Sequence, residues 1–444
     1  MNLSGKFVLR GTAWTIGTYG ISTALRFGSN VVLSRLVVPE IFGIMLVINT
    51  LRAGIDLLSD VGIGQNIVHS PNGDDRRFRN TAWTVQVLRG VLLFVVFVLA
   101  APFLGGVYGL PSEAIQLSAF SLLILGFCSV SVHLLQRRLR IVTSNLFDLS
   151  MDVVGIGLTI GLAYWWPSFW SLIIAGLVAS IIRTAATYLL PEAPVRLDWK
   201  SEDARQILSF GKWIYFASML AFLCASIDKL YLGSIVPLAV LGIYGIARNI
   251  ADLPVALAGR IGYSIVFPLI AAERDLPREI LRGHLAPIRL KLLLACALCI
   301  GLAAGLADYA VQLVYDSRYH DAAWMLPILL LGAWGSVMCS VNEYLLLGLG
   351  KPLYGAAANV AKLAYLGIGM AVAWSVLGLV GAVAVIALAD VSRYLIIAFG
   401  QRRERVVFLR QDMVATVLLV AVIAAISLAR VEAGFGTTFD GIPL

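Results

Sequence analysis

Residues 41–67 read IFGIMLVINTLRAGIDLLSDVGIGQNI, an almost wholly apolar run whose middle is broken by LRAGID, residues 51–56. A run of this length can carry an α-helix across a hydrocarbon core of roughly 30 Å. Arg52 and Asp56 are spaced i,i+4, which puts them on one helix face. A charge at such a depth costs about 2.5–3.5 kcal/mol on insertion scales and usually faces a bundle interior or a wet cavity. Two readings follow: the pair neutralises itself on its own helix, or the arginine serves a ligand.

The whole chain shares this character. Its 444 residues are 59% hydrophobic and 14% charged, with a mean hydropathy of +0.88, whereas soluble domains carry about a quarter charged residues. Apolar runs recur at 11–34, 41–66, 81–104, 114–135, 146–165, 168–190, 209–233, 238–263, 287–314, 322–348, 353–375, 378–400 and 412–429, predicting thirteen spans. Period-2 alternation is weak, so a barrel is excluded and the fold class is all-α integral membrane. The first run follows MNLSGKFVLR; it is too long for a signal peptide, holds Arg26 and lacks a small-residue cleavage site, which predicts a retained helix.

Lys and Arg concentrate in alternate connections. One set holds Arg76, Arg77 and Arg79; Arg137, Arg138 and Arg140; Arg196, Lys200 and Arg205; Arg274, Arg278 and Arg282; Lys351; and Arg402, Arg403, Arg405 and Arg410, while the opposite set holds little beyond Arg35, Arg318 and Arg430. The positive-inside rule then places the N-terminus, with Lys6 and Arg10, in the cytoplasm. The net charge of +8 is spread over separate short loops, a topology signal and no nucleic-acid surface. Cys128, Cys224, Cys296, Cys299 and Cys339 all fall in apolar runs and read as small hydrophobes. CALC at 296–299 has redox spacing without a second pair or a nearby histidine, so no metal and no cofactor is expected. There is no phosphate-binding G-x-x-x-x-G-K-[ST] loop, HExxH or GxSxG, and no long outer loop to hold catalytic groups, which points away from an enzyme.

The longest connection, Pro191 to Ser209, divides the chain into an N-terminal lobe at 1–190, a linker at 191–208, a second lobe at 209–400, and a basic loop, extra helix and tail at 401–444. Within the linker SEDARQILSF suits a short surface helix capped by Ser201, with Ile207, Leu208 and Phe210 on its apolar face; a plain linker is the alternative. The lobes look like repeats. VVPEIFGI at 37–44 is echoed by IVPLAVLGI at 235–243, and RAGID at 52–56 by RNIAD at 248–252. An even number of spans per unit implies parallel halves related by an axis along the membrane normal. Counting inward from Pro39 and Pro237 puts Arg52 about 20 Å and Arg248 about 17 Å deep, and Arg26 also lies well inside.

NVVLSRLVVPEIFGIMLVI followed by LLSDVGIGQNIVHS resembles the opening of the polysaccharide biosynthesis and O-antigen (Wzx-like) flippases of the multidrug/oligosaccharidyl-lipid/polysaccharide (MOP) exporter superfamily. QRRLRI at 136–141, ILSFGKWIYFAS at 207–218, SIDKLYLG at 226–233 and LLLGLGKP at 345–352 are similar to its later signatures. The resemblance implies two parallel six-helix lobes plus one or two C-terminal helices, in the bacterial inner membrane. It implies transport of an undecaprenyl-diphosphate-linked oligosaccharide to the outer leaflet, among membrane lipids, with a polysaccharide polymerase and a chain-length regulator as partners. Related flippases carry cavity arginines on their first, second and eighth helices; by helix and depth these match Arg26, Arg52 and Arg248, with Arg260 nearer the inner mouth. Asp56, Asp60 and Asp252 would then be their charge partners. Asp228, Asn359, Lys362 and Asp390, with Glu343 and Arg393, would form an ion-coupling relay or pack helices by ion pairs. Two other functions stay open: an ion-coupled multidrug exporter of the same superfamily, and a non-transporting membrane subunit of a polysaccharide assembly complex. An excess of mid-membrane arginine disfavours the former.

Overall fold

The computed structural model describes residues 5–57, 59, 62–191 and 195–443. The chain is 86% helical with no strand among the described residues, so backbone polar groups are satisfied within helices, as a lipid environment demands. The helices are α1 (Gly5–Leu36), α2 (Pro39–Leu57), α3 (Ile63–His69), α4 (Arg76–Tyr108), α5 (Ser112–Gly126), α6 (Ser131–Arg137), α7 (Ile141–Trp165), α8 (Phe169–Thr187), α9 (Ser201–Ile235), α10 (Leu238–Ile261), α11 (Phe267–Glu273), α12 (Arg278–Gly305), α13 (Ala307–Val314), α14 (Ala322–Gly348), α15 (Leu353–Arg403) and α16 (Leu409–Glu432). Among the described residues nine are long and apolar enough to cross a membrane, or ten if the bent pair α5 and α6 forms one span. α15 counts once there, yet its 51 residues would extend about 75 Å as one rod. Gly378, with φ 57° and ψ −136°, breaks it into two runs, at the place where the hydropathy pattern ends one predicted span and starts the next.

Three expectations need correction. The second apolar run is not one helix to residue 66: α2 stops at Leu57, Gly62 takes a left-handed φ of 63°, and α3 starts afresh at Ile63. The fourth run breaks between Gly126 and Ser131, where α5 and α6 meet at 54°. No separate surface helix forms from SEDARQILSF, because it continues without interruption into α9, and Ser201 is the first helical residue after an N-cap at Lys200. Ile207 is fully buried with Ile67, Phe78 and Leu134, so tertiary packing decides what the local pattern left open.

The chain divides into two compact units, Met1–Gly242 and Ile243–Leu444. In the first, α1 packs on α7, α7 on α8, α8 on α5, α5 on α4, and α9 on both α2 and α4. A Cβ on Gly90 would stand 2.9 Å from the α-carbon of Gly126, so α4 and α5 touch backbone to backbone. The echoed motifs also meet: a Cβ on Gly43 would overlap the Leu238 carbonyl, and one on Gly242 would overlap that of Pro39. Before α9 the chain runs along α4, where the amides of Arg196, Asp198 and Lys200 donate to the side chains of Asn80, Thr84 and Thr81 at 3.2, 3.0 and 3.3 Å. Nearby, the Arg137 Nη1 donates to the carbonyls of Ile67, Val68 and Ser70, and its Nε to Asp74 Oδ2 at 2.8 Å. This one guanidinium satisfies the last carbonyls of α3, the groups that every helix end leaves unpaired.

In the second unit α14 is the central helix, 67% buried over its apolar window, and packs on α11, α12, α13 and α15. α16 lies on α12, where a Cβ on Gly301 would meet Val422 at 3.0 Å and one on Gly305 would meet Ile426 at 2.8 Å. These two glycines, one turn apart, let the helices approach as small residues do throughout membrane bundles.

Candidate functional site

Arg52 stands on α2 and is partly buried; its Nη1 donates to Ser121 Oγ on α5 at 3.1 Å. No carboxylate lies within ion-pair distance of it among the described residues. Asp56, the partner its spacing suggests, instead pairs at 2.6 Å with Arg89 of α4, which also donates to Ser59 Oγ and the Asp56 carbonyl. The reason is geometric. Arg89 reaches α2 where the helix ends, and takes both the free carbonyl and the carboxylate there.

Arg248 behaves otherwise. Its Nε lies 3.3 Å from Asp252 Oδ1 on the same helix, the self-neutralised arrangement. Arg26 of α1 is exposed and pairs at 3.0 Å with Asp152 of α7, which also accepts from Ser22. Arg260 is exposed near the end of α10, before a π-helical turn at Gly262–Val266. Asp60 lies outside the described residues. Arg26 and Arg52 therefore belong to the first unit, and Arg248 and Arg260 to the second.

A polar pocket of about 260 Å³ opens in the first unit at the α5–α6 break, lined by Asp56, Gln86, Arg89, Ser129, His133 and Arg183 among others. The Gln86 Nε2 caps the Gly126 and Cys128 carbonyls that the break exposes, at 3.1 and 2.9 Å. Arg183 pairs with Asp148 of α7 at 2.6 Å.

Of the residues assigned to a relay, Lys362 and Asp390 are brought together, with Nζ 3.2 and 3.1 Å from the two carboxylate oxygens. Arg393 binds the same carboxylate at 3.1 Å and Glu343 at 2.6 Å, and Ser336 donates to Asp390. Asn359 lies one turn before Lys362 on α15, and Asp228 is buried on α9 in the first unit. Beside this cluster is a second: Arg289 is ion-paired to Asp412 and donates to Asn342 Oδ1 at 2.7 Å and Gln411 Oε1 at 3.0 Å, while Tyr394 donates to Asp412 at 2.6 Å. Each buried cation thus has a carboxylate, the condition under which buried charge is tolerated.

Sequence reasoning passed over Arg89, Asp152, Asp148, Arg183, Arg289 and Asp412. Arg89 and Arg183 are lone charges in apolar helices, and Asp148 and Asp152 recur i,i+4 along α7; these were the available signals.

The fold matches solved transporters. The inward closed conformation of the lipid II flippase MurJ superposes with a TM-score of 0.71 at 11% identity, covering 94% of this chain and 98% of that one. An inward-facing multidrug resistance MATE family transporter of the MOP superfamily gives 0.64 at 17%, covering 86% and 94%. At such identities the likeness is one of fold. In sequence, the teichuronic acid biosynthesis protein TuaB of Bacillus subtilis is 22% identical over 303 residues, 66% of this chain and 62% of TuaB. The lipopolysaccharide biosynthesis protein WzxC of Escherichia coli is 25% identical, over 62% of this chain and 56% of WzxC. The succinoglycan biosynthesis transport protein ExoT of Rhizobium meliloti is 23% identical, over 79% and 71%. The chain thus spans about three-fifths of the length of the first two relatives. The profile of the polysaccharide biosynthesis protein family matches residues 32–324, more than half of the 444, and the chain belongs to that family.

Proposed function

We propose that this protein moves an undecaprenyl-diphosphate-linked oligosaccharide from the cytoplasmic to the outer leaflet of a bacterial inner membrane, by alternating access and without enzymatic chemistry. The observation that carries this is Arg52, a guanidinium within an apolar helix that donates a hydrogen bond to a serine hydroxyl, while the neighbouring Asp56 carboxylate is ion-paired to Arg89. A diphosphate is multiply anionic, and a planar guanidinium fork can bind its oxygens with paired, charge-assisted hydrogen bonds. Arg26, Arg248 and Arg260 complete the arginine set in this reading, with Asp152 and Asp252 as the carboxylates that release their arginines to substrate. The names of ExoT, WzxC and MurJ, a transport protein, a lipopolysaccharide biosynthesis protein and a lipid II flippase, support the substrate class. The lobes are 1–190 and 209–400, joined by 191–208, with 401–444 as an added segment. The basic connections face the cytoplasm together with the N-terminus, and a polymerase and chain-length regulator take up the product outside.

In this reading Asp228, Asn359, Lys362 and Asp390 are the groups that would carry ion coupling. The Asp390 carboxylate is already met by an ammonium and a guanidinium, which supports a packing role for that pair.

The test is translocation of a polyprenyl-diphosphate oligosaccharide in proteoliposomes. Arg52→Ala should abolish translocation while folding and insertion persist, and Arg52→Lys should restore only part of it, because a point charge cannot reproduce the fork. Full activity of the alanine variant would overturn the assignment. Export of cationic amphiphiles in place of the glycolipid would favour a multidrug exporter, and the absence of any translocation by the wild-type protein would favour a scaffold.

A further inference from the structure

Between the first turns of α12 and α16 lies a cavity of about 530 Å³, lined by Glu279, Arg282, Ala286, Phe408, Leu409 and Arg410. Both guanidiniums are exposed, and neither has an ion-pair partner among the described residues. The single carboxylate in the lining leaves the site net positive, and Arg402 and Arg403 end α15 just before it, with Arg405 in the connection that leads into it. Ala286, Val407, Phe408 and Leu409 form the cavity's apolar lining. Below it, Leu409, Met413, Val417 and Val420 recur along one face of α16 and are 46%, 65%, 67% and 57% exposed, an apolar strip that starts where the basic pocket ends.

We infer that this pocket and strip hold an anionic phospholipid of the inner leaflet, with its phosphodiester between Arg282 and Arg410 and an acyl chain along α16. Basic pockets between transmembrane helices on the cytoplasmic side are the usual setting for such headgroups. The two guanidiniums supply the counter-charge for the headgroup, and the strip restricts the occupant to an amphiphile. The inference rests on the cytoplasmic placement of the basic connections and is independent of what the protein transports. Its consequence is mechanical. α16 packs chiefly on α12, and a lipid seated in the cavity between their ends fastens the two helices together there.

The experiment is lipid binding to the purified full-length protein in detergent, by native mass spectrometry and thermal shift. Phosphatidylglycerol should bind and raise the unfolding midpoint, whereas phosphatidylcholine and inorganic phosphate should do neither. Arg282→Gln with Arg410→Gln should weaken phosphatidylglycerol binding about 30-fold, as two basic contacts at the headgroup predict, and leave the lipid-free midpoint unchanged. Arg318→Gln, on a connection of the opposite set, should retain binding. An equal response to phosphatidylcholine, a response to inorganic phosphate alone, undiminished binding by the double variant, or preference for undecaprenyl diphosphate over phosphatidylglycerol would each overturn the inference. Loss of translocation by Arg52→Ala with normal phosphatidylglycerol binding would separate this site from the transport site.

Discussion

Arg52 and Arg248 occupy equivalent places in two echoed motifs, yet only Arg248 keeps the carboxylate four residues on. Asparagine at the two aspartates should therefore have different effects. Asp252→Asn removes the competitor of Arg248 and should tighten substrate binding while slowing release, read as lower Kd with a lower translocation rate. Asp56→Asn strips Arg89 of its partner and should lower the unfolding midpoint, with an energetic cost of about 1 kcal/mol because the carboxylate is half-exposed; a double-mutant cycle with Arg89→Gln should show the coupling. Deeper in the second unit the scale changes. Arg289 and Asp412 are both 4% exposed, so Arg289→Met should cost about 3–5 kcal/mol, and adding Asp412→Leu should recover most of it. Outside the spans, the hydrogen bond from Arg137 holds the Asp74 carboxyl below its ordinary value. Its contribution is complete above a pH of about 4 and is lost as pH falls toward the depressed value. Asp74→Asn should remove that part of the acid sensitivity, measured as unfolding midpoint against pH. At this scale the sequence displayed the arginines within its apolar runs but not which acids answer them. An i,i+4 spacing is visible in one dimension, whereas the Asp56–Arg89 and Arg26–Asp152 pairs join helices whose adjacency exists only after folding.

Hydropathy located the apolar runs because each needs a sustained stretch to cross the bilayer, and α14 begins and ends where its run does, at residues 322 and 348. The breaks were harder to read. The Gly126–Ser131 interval interrupts a helix inside largely apolar sequence, whereas Gly62 follows Ser59 and Asp60, polar residues that the hydropathy run to 66 passes across. Glycine also sets how closely the elements pack. Gly305→Leu would drive a side chain into Ile426 and separate α12 from α16, and overpacking of this kind costs about 1–3 kcal/mol. Comparing the denaturation midpoints of Gly305→Leu and Gly283→Leu checks this, since nothing lies within 4 Å of a Cβ at Gly283. The stretch at 201–210 shows the opposite limit: its amphipathic pattern was legible, but its continuation into α9 depends on burial of Ile207 among α3, α4 and α6.

For the molecule as a whole, thirteen crossings would leave the N- and C-termini on opposite sides of the membrane. A reporter fused after Asp440 should show periplasmic activity, and one fused within 402–410 cytoplasmic activity; the reverse result would invert the topology. That count depends on Gly378, which divides α15 into two runs without a loop between them. The turn reads WSVLGLV, residues 374–380, with Ser375 as its one side-chain hydroxyl, and Val376 and Leu377 are exposed at 72% and 65%. Such a tip offers water almost nothing to solvate. During biosynthesis the two runs therefore have no hydrophilic segment for the insertion machinery to pass across the bilayer, and the chain can partition into lipid as a single preformed helical hairpin. It would also present scarcely any surface there to a protease or an antibody.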